Sequence, residues 1–227
     1  MTDTRHHPSE ATLMAFAAGA LDEGLALVVS CHLVSCPACR ALVAEGEMIG
    51  GALLDSSQPA PLADDALSRM MARLDEPEPP PPPATDGNAP AWMPAPLARQ
   101  MNALHGPSWA AQARRSLGWR WLAPGVRQLS VMRRTRGGGT ARLLSIAPGT
   151  TLPHHDHGGL ELTCVLDGAF HDERALYQTG DVAELEPDTP HQPVAEGNHP
   201  CLCLIANEQP TRFSGLVGRL TQPLIGF

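Results

Sequence analysis

The chain has 227 residues, 43% of them hydrophobic, and a mean hydropathy of −0.13, enough for one large or two small domains, with no apolar run near the roughly 18 residues that cross a bilayer. The formal net charge of −8 is confined to the N-terminal third, where residues 1–78 hold 12 Asp and Glu against 4 Arg; such a region repels nucleic acid and suits a basic protein partner. The opening MTDTRHHPSE lacks a basic leader followed by an apolar block, so a cytoplasmic location without membrane attachment is expected.

In chain order, Ser9 is placed to cap a first helix through Leu13, Phe16 and Ala17 that Gly19 ends. Asp22 opens a second through Leu25, Val28, Val29 and His32, and Pro37 suits the first turn of a third carrying Cys39, Leu42 and Val43, its end weakened by Gly50 and Gly51. Pro61 to Leu74 spaces Leu62, Ala66, Met70 and Leu74 as a fourth amphipathic helix. Four short helices make a small core, which usually needs a staple such as a metal. Glu76 to Pro96 is proline-rich and reads as a stiff spacer that isolates the two halves mechanically. From Gly125 onward, short Val, Leu, Ile and Thr runs alternate with turn signals every 8 to 12 residues or so, as in a β-sandwich or barrel. Residues 97–124 give no clear pattern; Trp109, Trp119 and Trp121 there read as core or covering-strand residues. The expected fold is therefore α+β, with helical residues 1–76, a linker at 77–97 and a β domain at 98–227.

Two constellations carry chemistry. His32-x3-Cys36-x2-Cys39 brings three donors to one face within eight residues, and the His6-His7 pair is the natural source of a fourth for a closed tetrahedral zinc site. Six cysteines are too few for a disulfide scaffold, and a redox dithiol would need a βαβ setting that is absent around this CxxC. Cys31 points elsewhere and reads as a small buried residue. In the second half, Gly149-x5-His155-x-His157-x3-Glu161-x6-Gly168 places two histidines on one strand face, with the carboxylate on the next strand. Three imidazoles with a carboxylate suit Zn, Fe, Mn, Ni or Cu about equally. His154 has the opposite parity, His171 and His199 fit no pattern, and Cys201 and Cys203 share a strand face as small core residues.

The second motif resembles the first cupin signature. His191, eleven residues after Gly180, supplies the histidine of the second, although Pro187 sits one place late and Ala195 stands where asparagine is usual. Residues Arg5 to Cys39, with their R-H-H, F-A-A-G, L-V-V and H-x3-C-x2-C, resemble the zinc-binding anti-sigma domain. More closely, they resemble the ChrR type, in which that domain precedes a cupin-like one. The resemblance implies His7, His32, Cys36 and Cys39 as zinc ligands and His155, His157, Glu161 and His191 as ligands of a divalent metal in the cupin-like domain, with zinc the preferred ion. It also implies a non-enzymatic anti-sigma factor that forms a heterodimer with an extracytoplasmic-function sigma factor through the N-terminal domain. The cupin-like domain would be needed for a response to singlet oxygen or organic peroxides. The alternative is a metal-dependent, dioxygenase-like cupin enzyme with a zinc interaction domain. Arg133, Arg134 and Arg136 form a basic cluster, but it reads as a solvated hairpin end, so no direct DNA binding is expected.

Overall fold

The computed structural model describes residues 4–78, 89–106, 109, 118–132, 139–209 and 211–213; the Arg133–Arg136 cluster lies outside them. Helices start where their capping residues stand. The Ser9 hydroxyl accepts the Thr12 N–H at 3.2 Å and opens α1 (Glu10–Ala17), and Asp22 accepts the Gly24 N–H at 2.9 Å and opens α2 (Glu23–Leu33). Cys36 itself caps α3 (Pro37–Ser56), its sulfur taking the Cys39 N–H at 3.4 Å.

Three expectations need correction here. Gly50 and Gly51 do not loosen α3, which continues to Ser56. Each glycine costs only about 1 kcal/mol against alanine, and the Met, Ala and Leu residues around the pair favour helix. The fourth helix is shorter than Pro61–Leu74: α4 spans Ala66–Arg73, and none of its residues is buried, so it adds nothing to a core. Third, α5 (Ala95–His105) begins within the stretch read as linker and buries Leu97, Ala98 and Met101.

The remaining described elements are antiparallel strands. A six-stranded sheet has the order β1-β2-β3-β10-β5-β8, formed by β1 (Arg120–Ala123), β2 (Val126–Ser130), β3 (Thr140–Ile146), β5 (Glu161–Asp167), β8 (Val182–Leu185) and β10 (Cys201–Asn207). Between them in sequence lie β4 (His155–His157), which pairs with β11 (Thr211–Phe213), and a three-stranded sheet of β6 (Ala169–His171), β7 (Leu176–Gln178) and β9 (Val194–Glu196). This is the expected α+β arrangement of helices followed by a sheet-rich half.

Strand alternation sorts the large sheet into two faces. Leu144, Ile146, Val165, Cys201 and Cys203 point inward and pack on Phe170, Tyr177 and Ala195 of the small sheet. Leu143, Leu162, Cys164 and Leu204 point outward, and there they share one core with Leu25, Val28 and Val29 of α2 and with Leu97 and Met101 of α5. Every position of β5 from Glu161 to Leu166 is consequently buried. Gly24 permits the close approach: a Cβ there would lie 3.1 Å from the Thr140 carbonyl oxygen and 3.3 Å from Ala206 Cβ. The proline-rich tract therefore does not isolate the halves mechanically. Helix α2 is apolar on more than one side, and its second apolar side is satisfied by the sheet. Trp109 is buried, whereas Trp121 on the edge strand β1 is 68% exposed, with the Arg127 guanidinium 4.7 Å from its ring centroid.

Because Leu25 is wholly buried in this shared core, Leu25→Ala is expected to cost about 2–4 kcal/mol. The loss should appear as a lower melting temperature of the β-sheet signal in circular dichroism, although Leu25 lies far from the sheet in sequence.

Candidate metal centres

The first centre forms where α2 ends and α3 begins. His32 lies in the last turn of α2, Cys36 caps α3 and Cys39 lies one turn on, while His7 arrives from the segment before α1. Their donor atoms lie within 4.8 Å of one another. His7 Nδ1 is 3.4 Å from His32 Nε2 and from Cys36 Sγ and 3.5 Å from Cys39 Sγ, and His32 Nε2 is 3.3 Å from Cys39 Sγ. Ligands at zinc bond lengths of about 2.0–2.3 Å in a tetrahedron stand about 3.3–3.8 Å apart, so the donor set fits a small tetrahedral ion. His6, the other candidate, is turned away and packs its ring 4.7 Å from that of Tyr177. His32 is wholly buried, and its Nδ1 stands 2.8 Å from the Gly180 carbonyl oxygen, leaving Nε2 for the cluster.

The protonation chemistry favours a cation between the thiols. Burial pushes the Cys39 thiol up to about 12, reinforced by the neighbouring Cys36. Burial also raises Cys36, but the N–H of Cys39 and the Thr4 hydroxyl outweigh it and hold that thiol below its usual range. Without a metal, Cys39 stays a thiol and Cys36 is the easier of the two to ionise; a divalent cation makes both thiolates favourable.

The second centre lies inside the sheet half. His155 and His157 project from β4, Glu161 opens β5, and His191 pairs with His155 through an isolated bridge; all four are buried and their donor atoms also gather within 4.8 Å. His155 Nε2 lies 2.9 Å from His191 Nε2, which lies 3.5 Å from His157 Nε2; His157 Nδ1 is 3.1 Å from Glu161 Oε2. Burial keeps the His155 and His157 imidazoles neutral, with His155 lowered to about 4 and His157 to about 3, each pushed further by its histidine neighbours. Burial raises Glu161 to about 7 despite hydrogen bonds from Asn207 and Thr163. Neutral imidazoles beside a carboxylate are compatible with a bound divalent metal.

Two residues here escaped sequence reasoning. Asp172 Oδ2 faces His191 Nδ1 at 3.7 Å, and among the described residues neither atom has a hydrogen-bond partner, so the carboxylate stands behind the imidazole as its nearest polar neighbour. Asn207 reaches Glu161 at 3.5 Å and accepts the Thr140 hydroxyl at 2.7 Å. An isolated acid or amide in a β region has no spacing signature that distinguishes it. His154 is exposed, Cys201 and Cys203 are core residues, and His171 and His199 form surface pairs with Glu196 and Asp167. A narrow apolar cavity of about 90 Å³ ends at His155 and Glu161, walled by Val126, Leu144, Ile146 and Phe170.

Residues 110–211 match the family model described as the ChrR cupin-like domain. The chain is 40% identical over 219 residues to the anti-sigma-E factor ChrR of Cereibacter sphaeroides, covering 96% of this chain and 97% of that one. The chain belongs to the ChrR family of anti-sigma factors. It also resembles the crystal structure of Rhodobacter sphaeroides SigE in complex with the anti-sigma ChrR, with a TM-score of 0.70 and 38% identity over 90% of this chain and 99% of that one. ChrR membership places the chain among regulators rather than enzymes. No helix among the described residues is long and apolar enough to cross a membrane.

Burial raises the Glu161 carboxyl to about 7, and it must give up its proton to hold a cation, so metal affinity of the second centre is expected to fall as pH drops below 7, by up to about tenfold per pH unit from this group, and to level off above it. Competition titration against a chelating dye between pH 5 and 8 measures this, and Glu161→Gln should flatten the slope.

Proposed function

We propose that this chain binds an extracytoplasmic-function sigma factor and holds it inactive through its N-terminal helices, while the cupin domain provides the response to oxidative stress. The support comes first from a helix that no described residue covers. In α4 and its cap, Leu67, Met70, Met71 and Leu74 recur at helical spacing and form one apolar stripe, and they are 74%, 58%, 56% and 72% exposed. The end of α3 adds exposed Met48, Ile49, Leu53 and Leu54. Exposed apolar surface of this kind marks an interaction site, and an amphipathic helix such as α4 presents it to a groove. Exposed Glu45, Glu47, Asp55, Asp64 and Asp65 flank these residues in the sequence, and they suit a partner with basic DNA-binding surfaces. The similarity to a ChrR crystallised with SigE gives that partner its class.

In this reading His7, His32, Cys36 and Cys39 hold zinc, which staples α2, α3 and the N-terminal segment together. His155, His157, Glu161 and His191 hold a second divalent ion, for which zinc is proposed. The small cavity beside the second centre supports sensing of a small oxidant, singlet oxygen or an organic peroxide, over turnover of a larger substrate, since enzyme pockets usually exceed about 300 Å³.

Leu67→Asp and Met71→Asp in the full chain are each expected to weaken sigma binding by about 10- to 100-fold with unchanged helicity and melting, because both side chains are solvent-facing; biosensor titration against the purified sigma factor reads the loss, and wild-type affinity would sink the reading. A second expectation concerns the response. A reporter strain carrying His155→Ala should keep sigma inhibited but fail to release it when challenged with oxidant, and normal induction would remove the cupin from signalling.

A further inference from the structure

The N-terminal metal site has two pairs of donors, and the pairs are held by different parts of the molecule. Cys36 and Cys39 are fixed locally by the first turn of α3. His7 and His32 are fixed from the other side of the linker. The Gly180 carbonyl faces His32 Nδ1 at 2.8 Å across a sequence separation of 148. Asp181, only 2% exposed, accepts the backbone N–H of Arg5 at 2.7 Å and of His6 at 3.1 Å on one carboxylate oxygen, and the Gln178 N–H at 2.9 Å on the other. The Val182 N–H donates to the His6 carbonyl at 3.0 Å. Farther along, Glu184 accepts Ser9 N–H at 2.6 Å and the hydroxyls of Ser9 and Thr12 at 2.8 and 2.9 Å. Strand β8 is an edge of the six-stranded sheet, so the segment leading to His7 caps an edge whose backbone groups would otherwise face solvent.

We propose that Asp181 and the Gly180 carbonyl are positioning groups of the N-terminal metal site, supplied by the cupin, so that how long the site keeps its metal depends on where β8 lies. This rests on His7, His32, Cys36 and Cys39 being the ligands. Groups that orient a metal-bound imidazole, or the backbone carrying it, typically change metal affinity 10- to 100-fold when removed. A buried carboxylate holding two N–H groups next to His7 is such a group. Its own anchor is β5: the Val165 N–H donates to the Asp181 carbonyl at 3.0 Å, and the Gly180 N–H donates to the Val165 carbonyl at 2.8 Å. Val165 is four residues from Glu161 on the same strand, about 13 Å along it.

Cobalt(II) loading of the full chain separates the two centres, because sulfur is present only in the first and a thiolate-to-cobalt charge-transfer band reports that site alone. After addition of a chelator, Asp181→Ala is expected to lose the band about tenfold or more faster than wild type, whereas Glu186→Ala, an exposed β8-neighbouring control, should match wild type. Asp181→Asn preserves size and one acceptor oxygen, and is expected to fall between; it is the variant to read if alanine lowers the helix content. Equal release rates for wild type and both Asp181 variants would overturn the positioning role while leaving the ligand assignment intact. A wild-type chain that shows no thiolate band would remove the ligand assignment and the proposal together.

Discussion

His32 has two ring nitrogens, and they face different halves of the molecule. Nε2 joins the His7 ring and the Cys39 sulfur, Nδ1 meets a carbonyl of the sheet half, and the ring is wholly buried between them. Burial lowers its pKa, partly opposed by the Gly180 carbonyl, so the ring stays neutral and can act as donor to a metal on one side and to the carbonyl on the other. An imidazole so enclosed cannot turn without breaking one of these contacts. One side chain therefore ties α2, the sheet half and the geometry of the first centre together.

The same coupling appears in the core. A sheet with one covered face would leave Leu143, Leu162, Cys164 and Leu204 in water; here α2 and α5 cover them. Burial of β5 on both faces drives Glu161 toward neutrality and pushes the Cys164 thiol far above its usual range. Cys31, on the α2 side of the interface, is likewise raised to about 12 by burial. It is inert packing in the folded state, whereas Cys36, with its helix-cap hydrogen bonds, has the lowered pKa suited to a metal ligand.

Much of this was legible in the sequence because both donor sets rest on local spacing. H-x3-C-x2-C needs only a helix end and the next helix start, and H-x-H-x3-E needs only a strand, a turn and a strand. The docking was harder to read. Leu25, Val28, Val29 and His32 look like a single apolar stripe, yet Cys31 is also buried off that stripe, and a helix apolar on several sides is one with two partners. Helix α5 had its signals, Pro94 before Leu97, Ala98 and Met101, but they stand at the edge of a proline-rich tract. Asp172, Asp181 and Glu184 act through partners 19 to 176 positions away, and nothing in their local sequence marks such distant pairing.

The two centres differ in what can reach them and in what depends on them. The second borders an apolar cavity and contains no sulfur donor. The first contains both thiols, 1% and 2% exposed, and His7 is its one exposed member. From Glu161, backbone pairing leads along β5 to Asp181, to the segment carrying His7, and to the donor cluster whose Cys36 is also the cap of α3; α3 ends in the exposed apolar residues proposed above as a partner surface. Contiguity alone does not transmit a signal, since a link must have two distinct arrangements whose balance both ends can bias. Packed β strands and a capped helix shift by small increments, but coordination of a metal by four protein donors is either closed or lost. Of the links in this chain, the N-terminal metal site is the one with the discreteness a switch requires.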